Sequence, residues 1–227
     1  VKAFVSVKEF NDTDFIVMAT RNGIIKKTAL SMYSRPRKGG IYAIEIRDND
    51  ELIQAKVSHG SQDIILATFN GKSIRFNEND VRGTGRKTMG VRGIRLGTKD
   101  DYVIGMLIVK REGSVMVVTN KGYGKRSDLS EYRTQNRGGK GVITIKTTEK
   151  VGNLIGIMEA IDEDDIMLIT DRGIMIRQPV SNIRTIGRNT QGVRLAKLDD
   201  KTYITSATRV LKEDEDSEEE EAPEPEE

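Results

Sequence analysis

A chain of 227 residues, 36% apolar and 32% charged, is long enough to bury a core in one large or two small domains; it has no apolar run near the roughly 20 residues of a membrane-spanning helix and no secretory leader pattern at its start. The absence of Cys excludes disulfides, thiolate metal ligands and thiol catalysis, and agrees with a reducing cytosol. The net charge of +2 divides unevenly: residues 212–227 carry 11 acids and one Lys, which leaves 36 basic against 24 acidic side chains on residues 1–211, a surplus of 12.

The opening VKAFVSV is strand-like and lacks an initiator Met, so it reads as the closing strand of a unit whose other strands lie earlier in a longer chain. Four similar segments follow. FIVMATRNGIIKK begins at Phe15, DIILATFNGKSIR at Asp63, SVMVVTNKGYGKR at Ser114 and DIMLITDRGIMIR at Asp165. Each is an apolar, β-branched run closed by Thr, two residues and Gly, which predicts a hairpin. The turn glycines are Gly23, Gly71, Gly122 and Gly173, spaced 48, 51 and 51. A second landmark, Gly before Ile or Val, recurs at Gly40, Gly90, Gly141 and Gly192, spaced 50, 51 and 51. Two landmarks with one period define four repeats, about 15–60, 63–113, 114–164 and 165–211. Each is expected to hold four strands: the apolar run, the strand after its turn, a strand starting at the second glycine, and a closing run such as ELIQAKV or YVIGMLIV. Four strands in about 50 residues is the size of a propeller blade, and blades bury their faces only by stacking on one another. The expected fold is all-β, a propeller-like ring or pinwheel of four-stranded blades in residues 1–211. It has four complete repeats, a remnant strand and no long helix, and a disordered acidic tail follows at 212–227.

The repeat carries positive charge in register. Four residues past the turn glycines stand Lys27, Arg75, Arg126 and Arg177, with Lys26 and Lys125 beside two of them. The loops before the second glycine hold Arg37 and Lys38, Arg86 and Lys87, Arg137 and Lys140, and Arg188. Equivalent positions on successive blades would join these charges into a belt for a polyanion. The loop Gln135, Asn136, Arg137, Gly138, Gly139, Lys140, Gly141 sets three glycines among two cations. Backbone that bare lets a phosphate approach the amides, or else supplies positive φ in a turn. Phosphate contacts give affinity without reading sequence. With 5% aromatic residues and no Trp, little is available to stack on single-stranded bases, so duplex is the expected ligand. No P-loop, paired-carboxylate set or metal-ligand cluster is apparent; the one His, His59, lies in the polar turn SHGSQD, and Met18, Met116 and Met167 fall in strands as core fillers.

The stretches MATRNGIIKKTAL, TMGVRGIRLG, TNKGYGKRSDLSEY and GRNTQGV, with the acidic tail, make the chain resemble the C-terminal domains of DNA gyrase A proteins from Val1 to about Val210. The corresponding component of topoisomerase IV is a near cousin. The resemblance implies a six-bladed β-pinwheel that wraps duplex DNA, with the last four blades present here. It implies a module of an ATP-dependent type II topoisomerase that introduces negative supercoils. Its partners would be the rest of the gyrase A protein and the gyrase B protein, with no membrane. The isolated domain would be monomeric, in the bacterial cytoplasm on the nucleoid. The cleavage tyrosine and the ATP and Mg sites would lie elsewhere in the enzyme, so no catalytic residue, metal or cofactor is expected in this chain. The family's box, Gln-Arg-Arg-Gly-Gly-Lys-Gly, belongs to the first blade; QNRGGKG at 135–141 matches six of its seven positions, with Asn136 for an Arg, on the third repeat. The resemblance makes it a degenerate counterpart of that box. Protein-interaction propellers of the kelch or condensation-regulator type have a similar blade size and stand as the alternative.

Overall fold

The computed structural model describes residues 2–210; the tail expected at 212–227 lies outside them. In the first unit β1 (Phe15–Thr20) and β2 (Ile24–Ala29) form a hairpin and β3 (Leu52–Ser58) returns beside β1. The second unit holds β4 (Asp63–Thr68), β5 (Lys72–Asn77), β6 (Val91–Arg92) and β7 (Val103–Ile108). The third holds β8 (Ser114–Thr119), β9 (Tyr123–Asp128), β10 (Val142–Ile143) and β11 (Leu154–Ala160). The fourth holds β12 (Asp165–Thr170), β13 (Met175–Pro179), β14 (Val193–Arg194) and β15 (Ile204–Val210). The only helical elements among the described residues are four 3-10 turns, one after the second strand of each unit: Leu30–Tyr33, Glu78–Asp80, Leu129–Glu131 and Val180–Asn182.

The Thr-x-x-Gly motif has a local cause. The glycine amide donates back to the threonine carbonyl, at 3.0 Å for Gly23 and 2.9 Å for Gly71. In three of the four units the Thr hydroxyl also accepts from the amide after the glycine, at 3.2 Å from Ile24, 3.2 Å from Tyr123 and 3.0 Å from Ile174. Each turn is thereby fixed by its own residues, and so is the register of the hairpin.

The strand order differs from the sequence expectation in one respect. The sheets run β3-β1-β2-β6, β10-β5-β4-β7, β11-β8-β9-β14 and β13-β12-β15. The strand beginning at the second glycine therefore leaves its own unit and becomes the outer edge of the preceding one. These arms are only two residues long by ladder pairing, but the crossing is held along its length: Thr84, Gln135 and Ile186 donate their amides to the carbonyls of Lys27, Arg75 and Arg126 of the preceding unit, at 2.9, 2.8 and 2.9 Å. Two consequences follow at the ends. The arm of the first unit, around Gly40, forms no strand, and the fourth sheet has three strands rather than four. The remnant strand expected at the start is not formed among residues 2–14 either; Phe4, Val5 and Ser6 instead line a central cavity.

The continuous apolar runs are explained by burial on both faces. In β4, Ile64 and Leu66 join a core shared with Val17 and Ile25 of the first unit, while Ile65 and Ala67 join one shared with Val115 and Val117 of the third. A third core joins Met116 and Val118 to Ile166 and Leu168. Alternate residues of one strand thus serve two neighbours. The closing strands β3, β7, β11 and β15 line the inner cavity, about 530 Å³, into which Lys56, Lys110 and Arg209 also reach. The arms, at the opposite edge of each sheet, form the outer rim.

Candidate nucleic-acid interface

The fourfold basic position is turned inward in three of four units. Lys27 is 5% exposed; its Nζ donates to the Glu78 carbonyl at 2.9 Å, lies 3.6 Å from the Glu78 carboxylate and sits over the Phe15 ring. Arg75 binds Asp63 Oδ2 at 2.7 Å and the carbonyls of Leu129 and Tyr132 at 3.0 and 3.2 Å. Arg126 binds the Ile183 carbonyl at 2.5 Å and pairs with Asp162. Each side chain crosses to the 3-10 turn of the following unit or its last cap and donates to carbonyls there. Arg177, for which the described residues offer no following turn, keeps only Asp165 at 2.7 Å and is half exposed. Lys26 and Lys125 are fully buried, and both amines donate to carbonyls of the next unit's loop: Lys26 to Arg86 O at 2.6 Å and Lys125 to Gly187 O at 2.5 Å. Burial pulls both ammonium groups down to about 8. Lys26, Lys27, Arg75, Lys125 and Arg126 are thus latches between units, which turns them away from the DNA-facing belt expected of them, whereas Arg177 stays at the surface.

The loop at 135–141 is likewise built for the protein's own interior. A Cβ at Gly141, where φ is +69°, would stand 2.3 Å from the Ser73 carbonyl, so only glycine lets the arm close on β5. The amide of Gly138 donates to Gly93 O at 2.6 Å. Arg137 donates to the carbonyls of Asp80 and Arg92, and Arg188, its counterpart one repeat on, to those of Glu131 and Ile143. Both are half buried and staple a loop to the unit before it. The turn reading of these glycines is the one the contacts support. Asn136 and Lys140 are exposed, Gln135 partly so, and of the remaining loop cations Arg37, Lys38 and Lys87 are exposed and Arg86 is half buried.

Other cations take the outward positions. Arg82, Arg133 and Arg184 stand two residues past the 3-10 turns, are exposed, and make no side-chain hydrogen bond or ion pair among the described residues. Arg95, Lys146 and Lys197 follow the arms and are exposed. Both sets keep the 51-residue spacing, a signal present in the sequence but easily missed, because neither set flanks a glycine landmark directly. The arms and their loops are free of acids: residues 82–97 hold five Lys or Arg, 133–148 four and 184–198 four, with no Asp or Glu in any of them. The amides of Glu45, Arg95 and Lys146 donate to the carbonyls of Thr88, Gly139 and Thr190, at 3.0, 2.8 and 2.8 Å. Each loop so touches the next, and the cationic segments form one continuous rim.

The family model described as "DNA gyrase C-terminal domain, beta-propeller" matches residues 14–59, 62–110, 113–159 and 164–210. The DNA gyrase A protein of Haemophilus influenzae is 40% identical over an alignment covering 95% of this chain and 28% of that protein. Its Salmonella typhimurium equivalent is 42% identical, covering 96% and 25%. The chain spans about a quarter of the length of these curated relatives. Among solved structures, the C-terminal domain of DNA topoisomerase IV superposes with a TM-score of 0.84 and that of DNA gyrase A with 0.81, each at 25% identity over 90% of this chain and over 64% and 68% of those chains.

Proposed function

The chain belongs to the DNA gyrase C-terminal domain family, and from that membership we propose that it binds duplex DNA along its outer rim, without regard to sequence, and bends the duplex around the array of sheets. The observation that carries this reading is the acid-free run of cations on every formed arm and its loop. A curved row of cations neutralises successive phosphates and reads no base edges. In the intact protein the module would serve a type II topoisomerase. The remainder of the gyrase A protein, with the gyrase B protein, would supply cleavage, ATP and Mg, and the compartment would be the bacterial cytoplasm at the nucleoid. The two solved folds do not separate gyrase from topoisomerase IV; the curated relatives at 40–42% identity favour gyrase.

The test is a titration of linear duplex at several salt concentrations, with the parent chain and a triple variant R82E/R133E/R184E. If six to eight phosphates are neutralised, log affinity falls against log salt with a slope of about −5 to −7. The variant removes three free cations without touching a latch, so its stability should stay near that of the parent. Its affinity should fall at least about tenfold and its slope flatten by about 3. Wrapping adds a length requirement, so duplexes long enough to follow the rim should bind more tightly per site than short ones. Salt-independent binding, or unchanged affinity in the variant, would place the ligand elsewhere.

A further inference from the structure

The hairpin turns of neighbouring units meet through the same backbone bonds, but their side chains fill the space differently. Between the first and second units, the Tyr102 carbonyl accepts from the Phe69 amide at 2.8 Å, and the amide of the next residue, Val103, donates to the Arg21 carbonyl at 2.9 Å. The Tyr102 ring is covered. Phe69 stacks on it with centroids 4.7 Å apart, and the Arg21 guanidinium lies 3.7 Å from its centre. Between the third and fourth units, the Tyr203 carbonyl accepts from the Asp171 amide at 2.9 Å, and the Ile204 amide donates to the Asn120 carbonyl at 2.8 Å. Asp171 and Asn120 thus stand where Phe69 and Arg21 stand. Their side-chain oxygens are spent on the amides of Tyr203 and Asn153, at 3.1 and 3.0 Å, and Tyr203 is left 41% exposed. At the junction of the second and third units Asn153 replaces the tyrosine, its carbonyl accepting from the Asn120 amide at 2.9 Å.

Tyr203 lines a cleft of about 430 Å³ whose walls belong to the third and fourth units, a volume in the range of small-ligand sites. The rest of its lining is rich in cations. Lys150, Lys197 and Lys201 are exposed and make no side-chain hydrogen bond or ion pair among the described residues. Two further cations are engaged: Arg194 donates to the Tyr123 hydroxyl at 3.3 Å, and the Lys121 amine donates to the Glu149 carbonyl. Asp199 and Asp200 are the acids of the lining, so cations outnumber carboxylates five to two. Lys201 is the one non-glycine residue with positive φ among the described residues, at +59°. It turns the chain two residues before Tyr203, and such backbone outliers cluster at ligand sites.

We infer that this cleft binds a free nucleotide, with the base stacked on Tyr203 and the phosphates held by Lys150, Lys197 and Lys201. The occupant is identified by two features together. The equivalent place on Tyr102 is filled by a flat aromatic ring, which shows what stacks there. The surplus of free ammonium groups beside Tyr203 calls for an anion, and phosphate oxygens accept from several of them at once. A nucleotide carries both parts at a separation that one small cleft can span. The site lies at the turn ends of the sheets and does not depend on duplex binding at the rim.

The test is calorimetric titration of the whole chain with ATP, inorganic tripolyphosphate and adenosine, without DNA or divalent metal, at about 0.15 M salt, where distant charges are screened. ATP should bind at a single site per chain, at least about fivefold more tightly than tripolyphosphate, the lower end of what one stacked base contributes. Adenosine should bind more weakly than ATP by at least as much. Tyr203→Ala removes the platform, and Asp171→Phe fills its place with the ring that Phe69 sets against Tyr102. Either variant should bring ATP down to the affinity of tripolyphosphate while leaving tripolyphosphate binding and the melting temperature near the parent's, and either alone decides the point. K150E/K201E should weaken both anions. R82E/R133E/R184E should bind ATP within about twofold of the parent, which separates this site from the rim. ATP bound no more tightly than tripolyphosphate, ATP affinity unchanged by Tyr203→Ala or Asp171→Phe, or ATP binding lost in the rim variant would each overturn the inference.

Discussion

Arg75 and Arg133 are both arginines in register with the repeat, and their surroundings give them opposite work. Arg75 reaches Asp63 and two carbonyls of the third unit, with its side chain 19% exposed; Arg133 is exposed and makes no side-chain hydrogen bond or ion pair among the described residues. Arg75→Ala would leave a part-buried carboxylate and two carbonyls without their donor, a loss of about 2–4 kcal/mol. Urea denaturation should show a lowered midpoint with the slope unchanged. Arg133→Ala should stay within about 0.5 kcal/mol of the parent. An Arg75→Ala chain as stable as the parent would remove the latch reading. The distinction was partly legible in the sequence. In DIILATFNGKSIR and DIMLITDRGIMIR an Asp precedes the Arg by twelve residues, and a hairpin of that length brings the start of its first strand beside the end of its second. Where Ser114 or Phe15 takes the Asp position, Arg126 finds Asp162 instead and Lys27 finds the Phe15 ring, and no local pattern announces either.

The hairpins and closing strands were readable because their apolar runs, turn residues and 51-residue period all agree. The arms were not readable as exchanged. A two-residue strand has no alternation to expose, and β6, β10 and β14 find their partners through distant edges rather than neighbouring residues. The glycine that opens each arm was visible, but its cause lies in the close approach of a carbonyl from another unit. Gly141→Ala tests that cause. The methyl would sit 2.3 Å from the Ser73 carbonyl on a backbone at φ +69°, so either the arm lifts or β5 shifts. A loss of at least about 2 kcal/mol is expected, with Val142 and Ile143 amides losing exchange protection before the rest of the sheet. Unchanged protection there would mean the arm is held by its loop staples, Arg137 and the Gly138 amide, rather than by this contact.

Across the whole molecule the interior and the rim use cations differently, so the surplus of 12 on residues 1–211 overstates what a polyanion meets. Lys26, Lys27, Arg75, Lys125 and Arg126 are consumed by carbonyls and carboxylates inside the array. The free cations lie on the acid-free arms and loops, close enough in sequence and space to act as one field. Residues 212–227 bring 11 acids and one Lys to the same chain and return its net charge to +2. If those acids compete with DNA for the rim, the competition is electrostatic and must share its salt dependence. At about 0.1 M salt charges interact over roughly 10 Å, and near 1 M over about 3 Å. A chain ending at Leu211 should therefore bind duplex more tightly than the full chain at low salt, by at least about threefold, and the two binding curves should converge as salt rises. The R82E/R133E/R184E background should shrink the gain, because the tail and the duplex would then contest a rim with three fewer cations. Superimposable curves at every salt concentration would leave the tail no part in binding and confine it to keeping the chain in solution.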